Sequence, residues 1–147
     1  MLGEQIKELS GCQNGPRSRR LKMKNREVNM LPAPIKPAIT LQDLNKIDIR
    51  VGRIERVAEV ADSEKLVELT VDFGDHHRCI LAGIKKERPN PRELEGRQTL
   101  FVVNLPPRKM AGRLSEGMLF DLGYADGLKL PALAVPEYPI PNGTRAE

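Results

Sequence analysis

Alternation with a period of two dominates the middle of this 147-residue chain. Ile47, Ile49 and Val51 alternate with Asp48 and Arg50, and at Gly52 the phase slips so that Ile54 continues the apolar set. A glycine at a phase change predicts a bulge or sharp coil within a long first strand. Val67, Leu69, Val71 and Phe73 alternate with Glu68, Thr70 and Asp72, which predicts a half-buried strand. Gly74-Asp75 marks a turn, and Arg78 to Gly83 returns as the next strand. Thr99 to Leu105 is a nearly continuous apolar run, the pattern of a strand buried on both faces. Met118 to Leu122 predicts a further strand, and Asp126-Gly127 turns the chain into Leu128 to Val135.

Helical signals are short. Thr40-Leu41-Gln42-Asp43 has an N-cap residue followed by an acidic third position, opening one helical turn through Leu44. Asn90-Pro91 starts a second short helix that Gly96 closes. Pro136, Pro139 and Pro141 exclude a central strand at the end and leave an edge or a wrapped tail. Many short strands, with one small helix between the third and fourth, predict an all-β fold: a five-stranded OB-fold barrel with short helices and additional C-terminal strands.

Charge divides the chain unevenly. The net charge is +4, and residues 1–29 hold seven Lys and Arg against three Glu, so residues 30–147 balance at 17 of each sign. The first 29 residues show no apolar period and predict a disordered basic tail, continued to residue 38 by the stiff lead-in of Pro32, Pro34 and Pro37. The folded domain is then expected over 39–147. Two readings of the tail stay open. It is a basic arm for RNA, or it is translated upstream sequence. For the second, Arg26-Glu27-Val28 stands just before Met30 and is encodable as AGG-GAG-GTG, a bacterial-type ribosome-binding sequence, with the native chain starting at Met30.

Composition removes other classes. Two cysteines make no disulfide scaffold, and no apolar run nears the roughly 20 residues of a membrane-spanning helix, so a cytoplasmic protein without membrane contact is expected. Cys12 and Cys79 lack partners at metal-ligand spacing, and His76-His77 follow a turn as exposed loop residues, so neither a metal nor another cofactor is expected. Nucleophile elbow, phosphate loop and dinucleotide fingerprint are all missing, which leaves nothing to argue for an enzyme. The densest polar segment runs from Asn104 to Met118, where two prolines precede Arg108, Lys109 and Arg113, and Ser115-Glu116 follow. Those cations suit phosphate contacts, with Asn104, Ser115 and Glu116 hydrogen-bonding; a solvated basic connection between strands has the same composition. Lys85, Lys86 and Arg88 form a second basic cluster, and Arg50, Arg53 and Arg56 a third.

Asp48-Ile49-Arg50-Val51-Gly52-Arg53-Ile54, Ala82-Gly83-Ile84 and the Asn104–Met118 segment, in that order, resemble the tRNA-binding domain family. That family includes the C-terminal domain of bacterial methionyl-tRNA synthetases, free-standing tRNA-binding proteins, the EMAP II domain and the secretion chaperone CsaA. The resemblance covers about residues 39–147 and implies an OB-fold, a homodimer, and recognition of tRNA shape without catalysis. Arg50, Arg53, Lys85, Lys86, Asn104, Arg108, Lys109, Arg113, Ser115 and Glu116 are then the expected RNA-binding residues. The double proline and basic pair at 106–109 look most like CsaA, whereas Ser115-Glu116-Gly117-Met118 is closer to the synthetase and free-standing tRNA binders. The alternative is therefore a CsaA-like chaperone for unfolded or precursor polypeptides. A trans-acting partner of an aminoacyl-tRNA synthetase is a third possibility.

Overall fold

The computed structural model describes residues 21–23, 26–28 and 31–147. The chain divides into two units, Met1–Pro32 and Ala33–Glu147. In the first, β1 (Leu21–Met23) and β2 (Arg26–Val28) pair antiparallel, with Leu21 opposite Val28. Of the expected tail, residues 1–20, 24, 25, 29 and 30 lie outside the described residues.

The second unit begins on the extended lead-in, whose Ala33 N–H donates to the Asp126 carboxylate. α1 (Leu41–Leu44) forms where the capping residues allow it. Thr40 Oγ1 accepts from the Asp43 N–H at 3.1 Å, and Asp43 accepts in return from the Thr40 N–H and hydroxyl. β3 (Ile49–Glu59) is the long first strand, followed by β4 (Val67–Asp72) and β5 (His77–Ala82). A 3-10 turn over Pro91–Leu94 buries Leu94 completely and leads into β6 (Gln98–Val102). Short strands complete the chain: β7 (Arg108–Met110), β8 (Arg113–Ser115), β9 (Met118–Leu119), β10 (Asp121–Leu122), β11 (Ala132–Leu133) and β12 (Arg145–Ala146).

The main sheet runs β5-β4-β3-β6-β9, antiparallel throughout, with β12 added against the start of β3. Of the apolar set read from the alternation, Ile54, Val67, Leu69, Val71 and Phe73 pack as one core with Val57, Ile80, Phe101 and Leu119, whereas Ile47 is exposed next to α1. The sheet curls on itself as an OB-like half-barrel, and the all-β expectation holds. No helix among the described residues is long and apolar enough to cross a membrane.

Three local expectations are corrected. The register shift of β3 falls between Ile54 and Arg56, not at Gly52, which pairs regularly with Thr99. Gly52 is instead demanded by packing, since a Cβ there would stand 2.4 Å from Val71 Cγ1 and 2.9 Å from Phe73 Cε1. The apolar run after Gln98 stops pairing at Val102, and Leu105 is exposed. Of Leu128 to Val135, only Ala132 and Leu133 form a strand, and the next residue lies against β6, the Ala134 carbonyl accepting from the Leu100 N–H and the Thr99 hydroxyl, both at 3.1 Å. The proline-rich tail wraps back over the barrel: Gln98 Nε2 donates to the Ile140 carbonyl at 2.6 Å and to Asn142 Oδ1 at 2.7 Å.

Candidate functional site

The segment from Asn104 to Glu116 is a mounted hairpin rather than an open loop. β7 and β8 pair antiparallel with Arg108 opposite Ser115, Lys109 opposite Leu114 and Met110 opposite Arg113. Ala111 and Gly112 turn the chain with φ of 47° and 75°, the left-handed pair that a two-residue hairpin requires. Sequence reading missed this hairpin because alanine seldom takes that conformation and three-residue strands carry almost no period.

Cross-strand partners share a face, so Arg108, Met110, Arg113 and Ser115 point one way and Lys109 and Leu114 the other. Ser115 is buried; its hydroxyl accepts from the Leu81 N–H at 3.0 Å and donates to the Gly117 carbonyl at 3.0 Å. Glu116 binds the same sheet edge twice: its N–H donates to the Cys79 carbonyl at 2.9 Å and its Oε2 accepts from the Cys79 N–H at 3.0 Å. The base of the excursion is closed by Arg78, whose Nη1 donates to the Val103 carbonyl at 2.6 Å and the Glu116 carbonyl at 3.0 Å. Arg113 Nη1 donates to Glu68 Oε2 of β4 at 2.6 Å. Burial, followed by the Glu68 and Glu116 carboxylates, pushes the Cys79 thiol up to about 11, so this cysteine stays protonated at neutral pH.

The other expected residues fall into separate neighbourhoods. Arg50 grips Asp48 with Nε at 3.0 Å and Nη2 at 3.1 Å, and these bonds hold the Asp48 carboxyl below its usual range. Asn104 lies beside them, Oδ1 accepting from the Asp48 N–H at 2.9 Å and Nδ2 donating to the Lys46 carbonyl at 2.6 Å. Lys85 and Lys86 sit against the β3–β4 connection, 3.6 Å from Glu59 and 3.5 Å from Glu64. Arg53 lines a shallow groove of about 290 Å³ with Arg97, Gln98 and Tyr138. Arg108 and Lys109 are both exposed, and among the described residues neither has a carboxylate within 4.0 Å. Glu68 and Arg78, which hold this arrangement, were not signalled by the sequence, since each occupies an ordinary polar position of a strand, and Asp48 was marked only as the first residue of the Asp48–Ile54 motif, without its role.

Among the described residues Glu55, Asp72 and His77 bring three ligand-type atoms within 4.8 Å of one another. The Asp72 carboxylate, however, already accepts from the Gly74 N–H at 2.7 Å and from Asn142 at 2.9 Å, and His77 Nε2 lies 3.0 Å from Glu55. That is a hydrogen-bonded surface cluster with its acceptors in use.

Residues 49–145 match the family model described as "Putative tRNA binding domain". A solved structure of a MetRS related protein from Pyrococcus horikoshii is 34% identical, with a TM-score of 0.69, covering 76% of this chain and all of that one. The chaperone CsaA from Bacillus anthracis is 30% identical (TM-score 0.64; 76% of this chain, 100% of that one). The CsaA chaperone protein from Picrophilus torridus is 29% identical (TM-score 0.66; 75% and 100%).

Proposed function

The chain belongs to the tRNA-binding domain family, and on that premise we propose that it binds folded tRNA without catalysis, through the β7–β8 hairpin, as a homodimer. The observation that carries this reading is the state of the cations. Among the expected RNA-binding residues, Arg50, Lys85, Lys86 and Arg113 each face a carboxylate, whereas exposed Arg53, Arg108 and Lys109 have none within 4.0 Å among the described residues, and of these three Arg108 and Lys109 stand side by side on the hairpin. Cations left without internal carboxylates are the ones that gain most from phosphate, by Coulomb attraction and counterion release. With three Phe, two Tyr and no Trp, stacking on single-stranded bases has little to work with, which favours recognition of a folded RNA by shape. Ser115 and Glu116 contribute by framing the hairpin, Asn104 ties the chain entering it to the start of β3, and Arg53 offers a further cation on its own groove.

Pairing of two copies is supported by exposed apolar side chains at α1. Leu41, Leu44 and Ile47 line a groove of about 730 Å³ with Asn104 and Arg145, more apolar surface than such a short helix needs for its own fold. Two hairpins in one particle suit an object the size of a tRNA. Polypeptide binding is the second reading. It is supported by the likeness to CsaA and by another groove of about 730 Å³, lined by Ile84, Met118, Phe120, Leu122 and Tyr124.

A gel shift with bulk tRNA tests the proposal. Arg108→Ala with Lys109→Ala weakens binding, and the slope of log affinity against log salt falls by roughly 1.5, about 0.7–0.9 for each phosphate no longer neutralised. Unchanged binding in the double variant removes the hairpin from the site. Suppression of aggregation of a denatured client, undiminished by excess tRNA, would favour the second reading.

A further inference from the structure

Arg113 stands among the expected phosphate ligands, but its guanidinium is already engaged. The 2.6 Å bond to Glu68 joins the hairpin to β4, the strand behind the edge strand β5, so Arg113 must reach over β5 to make it. Glu68 sits opposite Leu81 in the β4–β5 register, with its side chain 21% exposed, whereas that of Arg113 is 48% exposed. A carboxylate this sheltered is screened less by salt than one in a fully exposed pair.

The rest of the mount explains what this bond is for. Arg78 fixes the base, where the chain leaves at Val103 and returns at Glu116. Ser115 and Glu116 fasten the end of β8 along β5. β7, the strand carrying Arg108 and Lys109, makes no hydrogen bond of its own to the main sheet among the described residues and is held by pairing with β8. A two-stranded ribbon anchored at one end keeps a rocking motion, and the Glu68–Arg113 pair engages it close to the Ala111-Gly112 tip.

We infer that Glu68 is a positioning residue for RNA binding: its ion pair with Arg113 sets the tilt of the β7–β8 hairpin and so the place of Arg108 and Lys109, with Arg113 serving as a strut rather than a phosphate ligand. This rests on the hairpin being the tRNA-binding element. The contrary role predicts the opposite sign. Were Glu68 a competitor occupying a phosphate-binding arginine, its removal would free a third cation and tighten binding.

Bulk tRNA affinity is measured at two salt concentrations for the native chain, Glu68→Gln, Arg113→Gln and the exchanged pair Glu68→Arg with Arg113→Glu. Each single substitution is expected to weaken binding, about 3- to 10-fold, the scale of losing one partly sheltered pair. The exchanged pair restores binding to within about 3-fold and keeps the native salt slope, where removal of a phosphate ligand would lower that slope by about 0.7–0.9. Tighter or unchanged binding by Glu68→Gln, or an exchanged pair as weak as Arg113→Gln, overturns the inference. If the native chain binds no tRNA, the functional reading fails separately, and amide hydrogen exchange still decides the strut. Residues 108–114 should then exchange faster in Glu68→Gln while β3 and β4 are unchanged, and equal protection of the hairpin overturns it.

Discussion

Single atoms decide several positions in this barrel, and Gly52 is the clearest. Its place in β3 faces Val71, Phe73 and Phe101, and the space a methyl group would take is already filled by the Val71 side chain at 2.4 Å. Gly52→Ala is expected to destabilise the fold by about 1–3 kcal/mol, the usual cost of overpacking a filled core; urea unfolding followed by circular dichroism checks it. The sequence marks this glycine as unusual, through the phase slip, but misassigns the cause. Alternation shows that something happens near residue 52, while the crowding that forbids a side chain comes from β4 and β6, far away in the chain. Asn104 and Ser115 show the same limit. Their residue types read equally well as RNA ligands or as caps for backbone groups, and only the positions of the Lys46 carbonyl, the Asp48 N–H and the Leu81 N–H reveal how each is used.

Elements differ in how plainly the sequence announces them. β4 is legible because its buried and half-buried residues alternate through all six positions, and α1 because its capping box is local to four residues. The β7–β8 hairpin is illegible because three-residue strands have no measurable period and its turn places Ala111 at φ 47°. That conformation costs an L-residue roughly 1–2 kcal/mol, from the close approach of Cβ to the following carbonyl oxygen. Ala111→Gly relieves it and is expected to raise stability by up to about 1 kcal/mol, the gain being offset in part by the greater freedom of glycine in the unfolded chain. Thermal unfolding measures the change.

At the scale of the whole molecule, net charge is a poor guide to where RNA binds. The +4 belongs to residues 1–29, and the remainder carries none. A chain starting at Met30 is therefore expected to keep tRNA affinity within about 3-fold and to keep a salt slope set by the hairpin cations, since phosphate contacts act locally. On the proposed pairing through α1, sedimentation of the same shortened chain is expected to report a dimer, because the exposed residues of α1 lie beyond the cut. Failure to bind tRNA on shortening would assign the RNA to the basic segment instead. The all-β class, the strands β3, β4 and β5 and the buried positions of β4 were legible in the sequence alone, since alternation, turn residues and caps are local and record burial directly. Which cations remain available was decided by tertiary structure. Arg50, Lys85, Lys86, Arg108, Lys109 and Arg113 are alike as letters, and they differ only in the carboxylates that folding brings beside them. Coulomb attraction depends on distance in space, and a sequence separation of 45 between Glu68 and Arg113 becomes 2.6 Å only once the barrel has closed.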